Sequence, residues 1–398
     1  MSTRRQPTSA AGQPDWHELV RLAIVGAATL KGKEINEVLQ ERNFRSADVR
    51  LLDDQESLGQ LEAVGDEINF VQSVRPQQFS GVDIAFFASD AAFTKSHWYM
   101  ARDAGSSIID VSYALEQEPG AQVRAPWMDR ELGRAATLTD GAERSAMVIA
   151  HPAAVVLALL MARAQRAAGV RNAVVTILEP ASEQGKSGMD ELHQQTVNLL
   201  SFQQMPKEVF DSQVAFNMLP RYGSNSTRNL EAVERRILEH YRQITRPLEH
   251  GAASRATVRH AFGENSPASA PLISAAGSAA IAVPESAAPT PSVALLQAPT
   301  FHSYAFSIFL EMANAVSTSE LAQLLAGEHV TVVELSDEPP SNVSATGQNE
   351  IQVAIRRDAG RENAVWLWAA ADNLKITALN AVACAEAAVA MRAKGRIQ

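Results

Sequence analysis

The chain has 398 residues, of which 46% are hydrophobic and 20% are charged, and its formal net charge is -10 at pH 7. A chain of this length can bury a sizeable core and divides into two domains more readily than it forms one. Its acidic balance, and the absence from the sequence of a basic stripe interleaved with aromatic residues, argue against a nucleic-acid-binding surface.

The cysteine count and the hydropathy of the sequence limit the cellular compartments in which the protein is expected. Cys384 is the only cysteine, so a disulfide within the chain is impossible and a thiolate metal site is excluded. The longest uncharged apolar run, residues 147–162, is interrupted by His151 and Pro152 and is shorter than a membrane span. We therefore expect a cytoplasmic protein with no membrane segment and no resident metal.

The first elements alternate strand and helix. Residues 1–18 are polar and without periodicity, which predicts a disordered tail. From Arg21 onward, "LAIVGA" is typical of a buried strand, a helix follows to about Arg42, and "VRLLD" predicts a second strand. "VDIAFFAS", "TKSHWYMARDAG" and "SSIIDVS" continue the pattern as strand, helix and strand. The spacing predicts a parallel, doubly wound sheet in a domain over residues 19–150.

A second domain is expected over residues 151–372. It opens with an apolar helix over 153–168, the strand "NAVVTILEP" and a helix over about 187–202, and later contains the strand-like runs "VALLQ", "YAFSIFLEM", "EIQVAIRRD" and "NAVWLWAAAD". Residues at about 246–291 are rich in Ala, Ser and Pro, which predicts a flexible insertion. The Ala-rich helix over 373–392 is expected to return and complete the first domain.

Several segments, in this order, resemble aspartate-semialdehyde dehydrogenases. They are "AIVGAATLKGKEI", "GVDIAFFAS", "GSSIIDVS", "VIAHPAAV", "GKSGMDELHQQT", "FNMLP", "APTFHS" and "DNLKITALNAV". The resemblance implies an α/β fold in which an N-terminal Rossmann-like parallel sheet precedes an α+β dimerisation domain of the semialdehyde dehydrogenase type. It also implies a place in or near amino-acid biosynthesis, and an NADP-dependent reaction that begins with attack of a cysteine thiolate on an aldehyde.

The residue that would carry this chemistry is absent. The family's nucleophile lies in an Asn-Pro-Asn-Cys turn that opens a helix, and the corresponding turn here is His151-Pro152-Ala153-Ala154. Ala154 replaces the nucleophile, and a methyl group cannot attack a carbonyl. Cys384 lies in the terminal helix among Ala and Val, where we expect a buried, inert thiol.

Other positions that match the family's site have also changed. Glu179 replaces the family's glutamine, and Glu116 replaces the arginine that grips phosphate. His302 matches the family's histidine base, and Arg235 or Arg236 is expected to keep a substrate-binding cation. A lone surviving histidine is more often a packed structural residue than a catalytic one.

The dinucleotide loop is altered as well. The family's pattern is Gly-x-Thr-Gly-x-x-Gly, and here Thr29 places a branched side chain where the backbone should approach a phosphate. Asp53, Asp54 and Glu56 follow the second strand and disfavour NADP, although they are compatible with NAD. We expect no cofactor. The degraded cofactor-binding positions are Gly26, Ala27, Ala28, Thr29, Leu30 and Gly32.

Three hypotheses for function follow. The leading one is a catalytically inactive paralogue that acts through dimerisation, as a homodimer or as a heterodimer with an active relative. The second is an enzyme with altered acid-base or metal chemistry at His151, Glu179 and His302, although His151 is more simply a helix cap. The third is a working semialdehyde dehydrogenase.

Overall fold

The computed structural model describes residues 20–134, 146–246 and 288–392, apart from residues 43, 45, 55, 65, 66, 335 and 336. The predicted N-terminal tail lies outside the described residues, and so does nearly all of the predicted insertion at 246–291. In the described part of the chain, no helix combines the length and the apolar character needed to cross a membrane.

The first unit is built on a parallel sheet. Its elements, in chain order, are β1 (Val20–Val25), α1 (Leu30–Glu41), β2 (Ser46–Asp53), β3 (Leu61–Val64), β4 (Glu67–Phe70), β5 (Gln72–Ser73), β6 (Ile84–Phe87), α2 (Ala91–Asp103), β7 (Ser107–Asp110), β8 (Gln122–Arg124), α3 (Pro126–Glu131) and β9 (Met147–Ile149). The strand order is β5-β2-β1-β6-β7-β9-β8, and β3 pairs only with β4 as a hairpin. The strands of the main sheet run parallel. Because helices cover both faces, strands such as β6 are buried at every residue.

The second unit contains a mixed sheet. Its elements are α4 (Pro152–Ala168), β10 (Val170–Glu179), α5 (Gly185–Leu200), α6 (Leu230–Thr245), β11 (Ser292–Gln297), β12 (Tyr304–Met312), α7 (Thr318–Leu325), β13 (Val330–Val332), α8 (Asn342–Ala345), β14 (Ile351–Arg357), β15 (Ala364–Ala371) and α9 (Asn373–Arg392). The strand order is β11-β10-β12-β15-β14-β13. The four central strands pair antiparallel, and each outer pair is parallel. The predicted fold class, a Rossmann-like parallel sheet followed by an α+β domain, is confirmed.

One face of the mixed sheet is only partly covered by the residues that the structure describes. Along β12, buried and half-buried residues alternate, as expected for a strand with one covered face. On the open face Val174, Phe309 and Trp366 are direct neighbours across three strands, and the rings of Phe309 and Trp366 are 5.2 Å apart. Val174 is 45% exposed and Trp368 is 39% exposed. We call these four residues the open-face patch.

Helix α9 returns to the first unit and packs on α1. The ammonium group of Lys375 is buried between the two helices, 3.1 Å from a carboxylate oxygen of Glu34 and 2.7 Å from one of Glu41. Arg42 and Glu386 form a second ion pair between these helices, at 3.2 Å. Cys384 is buried on α9, as expected.

Candidate functional site

The glycines of the opening loop serve close packing. Gly26 has φ +85°, and a Cβ there would lie 2.4 Å from the backbone nitrogen of Ser89. A Cβ at Gly32 would lie 2.0 Å from the carbonyl oxygen of Gly26. Only glycine fits either position, so both residues are required by the strand-turn-helix geometry, whatever the loop binds.

The side chain of Thr29 forms hydrogen bonds within its own loop and with the first turn of α1. Its hydroxyl caps α1 by accepting from the N–H of Gly32 at 3.0 Å, and donates to the carbonyl oxygen of Gly26 at 2.8 Å. The N–H groups of Gly26 and Ala27 both donate to the carbonyl of Leu52. A threonine in this position therefore replaces an external partner for the first turn of the helix.

The rest of the loop is satisfied by a carboxylate and by the loop's own backbone. The N–H of Ala28 donates to Oδ2 of Asp53 at 2.8 Å, and the N–H of Thr29 donates to the carbonyl of Gly26 at 3.0 Å. Burial raises the pKa of Asp53, which is only 5% exposed. Asp54 is used in a turn, where it accepts from the N–H groups of Glu56 and Ser57. A pyrophosphate would have to break these bonds and approach a carboxylate.

Lys31 crosses the carboxyl edge of the parallel sheet. From the start of α1, next to β1, its Nζ reaches the carbonyl of Val111 beyond β7 and donates to it at 3.0 Å. Its Nζ also lies 4.7 Å from the centre of the Tyr113 ring. Burial lowers the pKa of Lys31. Open parallel sheets hold their ligands in this crevice, and the side chain of Lys31 lies across it.

The turn that corresponds to the family's nucleophile is fully buried. His151 caps α4, as the simpler interpretation predicts, because its Nδ1 accepts from the N–H of Ala153 at 3.3 Å. The backbone N–H of His151 donates to Nδ1 of His240 at 2.9 Å. Both His151 and Ala154 have no exposed surface. Burial depresses the pKa of His151 well below its ordinary value, which keeps the imidazole neutral.

Glu179, at the end of β10, is enclosed by donors. Nη2 of Arg228 lies 3.1 Å from its Oε1, and the hydroxyl of Tyr304 donates to Oε2 at 3.4 Å. The hydroxyl of Tyr222 lies 3.3 Å from Oε1 of Glu179, but its shorter bond, at 2.6 Å, is to Oε1 of Gln297. Burial raises the pKa of Glu179 to about 7, against the opposing effect of Arg228. The ring of Tyr304 is 6.0 Å from that of His151, so Glu179 and the α4 turn share one cleft.

Glu116 binds Arg236, one of the two arginines expected to be a substrate-binding cation. Nε of Arg236 lies 2.5 Å from Oε1 of Glu116, and Nε2 of His240 lies 3.1 Å from the same oxygen. Burial alone would raise the pKa of Glu116, but hydrogen bonds from His240 and Arg236 bring it below the ordinary value. Arg235 instead contacts its own helix, with Nε 3.4 Å from the carbonyl of Glu231. Of the two candidate arginines, Arg236 is the one at the cleft.

His302 does not join this cluster. It is half-buried, and no hydrogen bond or ion pair links it to Glu179 or His151 within the described residues. Tyr304, two residues further along, contacts both. The same described ranges contain no group of three His, Cys, Asp or Glu side chains able to hold a metal ion. The described residues therefore give no support to a metal site at His151, Glu179 and His302.

Six further residues of the cleft escaped the sequence-based prediction, which followed only positions matched to the family. Among them the backbone of Tyr113 is the most unusual, because its φ of +65° is a conformation that a residue with a bulky side chain rarely adopts. The strong helical periodicity of residues 230–245 could have revealed α6 and with it His240. The six are Lys31, Tyr113, Tyr222, Arg228, His240 and Tyr304.

Comparison with known proteins finds two family domains in the chain. The chain matches the sequence model described as semialdehyde dehydrogenase, NAD binding domain, over residues 21–136, and the one described as semialdehyde dehydrogenase, dimerisation domain, over residues 161–256. It is 28% identical over 370 residues to a USG-1 protein homolog of Azotobacter vinelandii, covering 92% of this chain and 97% of that one. It is 24% identical over 370 residues to an aspartate-semialdehyde dehydrogenase of Rickettsia bellii, covering 92% and 96%.

The solved structures agree. The structure of a probable aspartate-semialdehyde dehydrogenase from Pseudomonas aeruginosa superimposes with a TM-score of 0.71 at 28% identity, covering 93% of this chain and 98% of that chain. Both family domains are matched in order, and the likeness extends over most of each relative. The chain belongs to the aspartate-semialdehyde dehydrogenase family.

Proposed function

We propose that this protein is a catalytically inactive member of its family that works as a dimer. The observation that carries the proposal is Ala154, a fully buried methyl group at the turn where the family's nucleophile lies. No other thiol can replace it, because burial on α9 raises the pKa of Cys384, the only cysteine, to about 12. A thiol with that pKa is protonated at neutral pH and is not a nucleophile.

The neighbouring charges support the same proposal. Acyl transfer to phosphate requires a cation that is free to bind the anion. Arg236 is held by Glu116, and Arg228 is held by Glu179. Acid-base chemistry at Glu179 is the alternative that remains, since a pKa of about 7 suits a general acid or base. Its two oxygens nevertheless already have partners, Arg228 at one and the hydroxyl of Tyr304 at the other.

The residues of the opening loop do not fit a dinucleotide. The hydroxyl of Thr29 and the carboxylate of Asp53 take the N–H groups that would face a pyrophosphate. Lys31 crosses the crevice beside them. We therefore propose that the domain retains the NAD-binding fold without binding NADP, and that it binds NAD weakly at most.

The proposed dimer uses the open-face patch. A second copy, seated on this face, would cover the exposed Val174 and Trp368 and the neighbouring rings of Phe309 and Trp366. The match to a dimerisation domain over residues 161–256 supports this partner. A heterodimer with an active relative would use the same face.

Two measurements on the purified full-length chain test the proposal. We expect no phosphate-dependent oxidation of aspartate semialdehyde with NADP or NAD, under conditions where the Rickettsia bellii enzyme turns over. A ligand at one hundred times its dissociation constant stabilises a fold by about 2.7 kcal/mol, which a melting curve detects readily. We expect no such shift with NADP. Phosphate-dependent turnover would overturn the proposal, and an NADP shift would overturn its cofactor part.

A further inference from the structure

Two buried polar groups without partners and one ammonium group lie together at Tyr113 in the cleft. The hydroxyl oxygen of Tyr113 and Nε2 of His151 are both closed off from solvent, and neither has a hydrogen-bond partner within the described residues. The two rings stack with centres 5.5 Å apart and an interplanar angle of 20°. Nζ of Lys31 lies over the Tyr113 ring at 4.7 Å. We call these three residues the Tyr113 site.

Both orphaned atoms are hydrogen-bond donors. Nδ1 of His151 accepts from the N–H of Ala153, so it carries no proton. A neutral imidazole has one N–H, and it must therefore be on Nε2. Burial raises the pKa of Tyr113 well above its ordinary value, so its hydroxyl keeps its proton. Buried donors without acceptors are costly, and a bound acceptor relieves that cost.

Lys31 contributes charge. Its ammonium group gives one hydrogen bond, to the carbonyl of Val111, and has two further protons. In the described parts of the chain it forms no ion pair, although the carboxylates of Glu183 and Asp110 act on its ammonium group and oppose the lowering of its pKa by burial. The nearby carboxylates have partners of their own: Arg236 and His240 hold Glu116, and Arg228 and Asn373 hold Glu183.

The backbone of Tyr113 is also strained. Its φ of +65° costs free energy for a residue with a large side chain, and such strain persists where the surrounding structure demands it. Here the strained backbone aims the ring between Lys31 and Arg236, whose guanidinium carbon is 4.9 Å from the ring centre. Lys31 and Tyr113 are half-buried and the side chain of Arg236 is 33% exposed, so the outer side of the Tyr113 site faces solvent although its two donor atoms do not.

We propose that the Tyr113 site binds the carboxylate group of a small organic acid. The hydroxyl of Tyr113 and the imidazole N–H of His151 donate to the carboxylate oxygens, and Lys31 balances the charge. The ammonium group of Lys31 supplies positive charge over the Tyr113 ring, and the carboxylates of Glu183 and Asp110, which also act on Lys31, disfavour a phosphate dianion more than a single negative charge. The inference rests on the proposed loss of cofactor binding, since Lys31 lies across the dinucleotide crevice. The chain would thus sense a carboxylic acid rather than transform one.

The test is calorimetric titration of the full-length protein with sodium acetate, sodium propionate and sodium succinate, each to about 20 mM, with sodium phosphate for comparison. We expect saturable binding of at least one carboxylate and weaker binding of phosphate. Tyr113→Phe removes only one oxygen atom, and Lys31→Met removes the ammonium group together with its hydrogen bond to Val111. Each should weaken carboxylate binding about tenfold or more, because a hydrogen bond to a charged group is lost.

Matched controls keep the result specific. Tyr99→Phe alters a tyrosine that is 43% exposed on α2, and Lys186→Met alters a lysine whose side chain is 79% exposed on α5. Both should bind the carboxylate as the unaltered protein does. No saturable binding, or equal binding by Tyr113→Phe, would overturn the inference. The titration contains no cofactor or phosphate reaction, so its failure is distinct from turnover or an NADP shift, which would contradict the proposed function.

Discussion

Glu179 is a buried carboxyl group whose pKa of about 7 lies above its ordinary value of 4.5, chiefly because of burial. A carboxyl group with a raised pKa in the folded state binds protons more tightly there than when unfolded. Its contribution to stability is therefore greatest at low pH and decreases as the pH rises from about 4.5 to about 7. Above that range the cost of its ionisation is constant.

We predict that Glu179→Gln removes this pH dependence. Between pH 5.5 and pH 8 the unaltered protein should lose about 2 kcal/mol of unfolding free energy relative to the variant. Urea denaturation of both proteins at the two pH values measures the difference. Glu239→Gln, at a side chain that is 57% exposed, is the control and should follow the unaltered protein. Parallel pH profiles for Glu179→Gln and the unaltered protein would contradict the prediction.

Ala154→Cys would put a thiol back at the position of the family's nucleophile. We predict that Ala154→Cys does not restore phosphate-dependent turnover. The new thiol would share its cleft with the carboxyl group of Glu179, which disfavours a thiolate, and the phosphate-binding arginine would still be replaced by Glu116. Each 1.36 kcal/mol lost from transition-state stabilisation is tenfold in rate, so these defects should hold turnover about a thousandfold or more below a working enzyme.

The repair assay needs two comparisons. One is the Rickettsia bellii enzyme, and the other is a multiple variant that adds Glu179→Gln, Glu116→Arg and Thr29→Gly to Ala154→Cys. Ready turnover by the single variant would mean that the cleft is intact apart from its nucleophile, and that the proposal of inactivity exaggerates the change.

At the scale of single residues, the sequence identified the positions where the family's site residues are replaced, but not the residues that contact the replacements. Ala154, Glu116 and Glu179 could be found because each replaces a residue type that the family's chemistry requires. Arg228, which pairs with Glu179, lies in a segment with no motif, and only the fold brings the two together. His302 kept its residue type, yet Tyr304 is the residue that reaches the cleft. Long-range packing decides such contacts, and local pattern carries no information about them.

At the scale of elements, Thr29 shows how one residue changes the use of a turn. We predict that Thr29→Ala lowers the unfolding free energy by about 1 kcal/mol, because α1 loses its cap and the bond to Gly26. Thr29→Ser keeps the hydroxyl and should remain close to the unaltered protein. Urea denaturation compares the three. An alanine variant as stable as the unaltered chain would show that the cap is dispensable.

The alternation of strand and helix made the main elements predictable. The buried run of β6 and the apolar α4 were placed correctly because their hydrophobic periods are clear. The β3-β4 hairpin and α6 were not predicted. The hairpin lies apart from both main sheets and its strands are short. Helix α6 has an apolar stripe from Leu230 to Ile244 that periodicity alone should have revealed.

At the scale of the whole molecule, the open-face patch sets the expected assembly. A sheet face that carries Phe309, Trp366 and Trp368 side by side exposes apolar surface in a monomer, and a second copy would bury it. In a dimer with twofold symmetry, the open-face patch of one copy would contact the same patch of the other copy. The sequence indicated this surface because strands β12 and β15 contain more apolar residues than one covered face needs.

We predict that Val174→Lys converts the dimer to a monomer. Val174 is 45% exposed, so a lysine there is solvated in the separate chain but would bury an unpaired charge in the assembled pair. Light scattering at micromolar concentration should give twice the chain mass of 42.9 kDa for the unaltered protein and the single mass for the variant. Tyr99→Lys introduces the same charge at an exposed site on α2 and should remain dimeric. A mass of 42.9 kDa for the unaltered protein would exclude the dimer, and an unchanged mass for Val174→Lys would place its interface on another face.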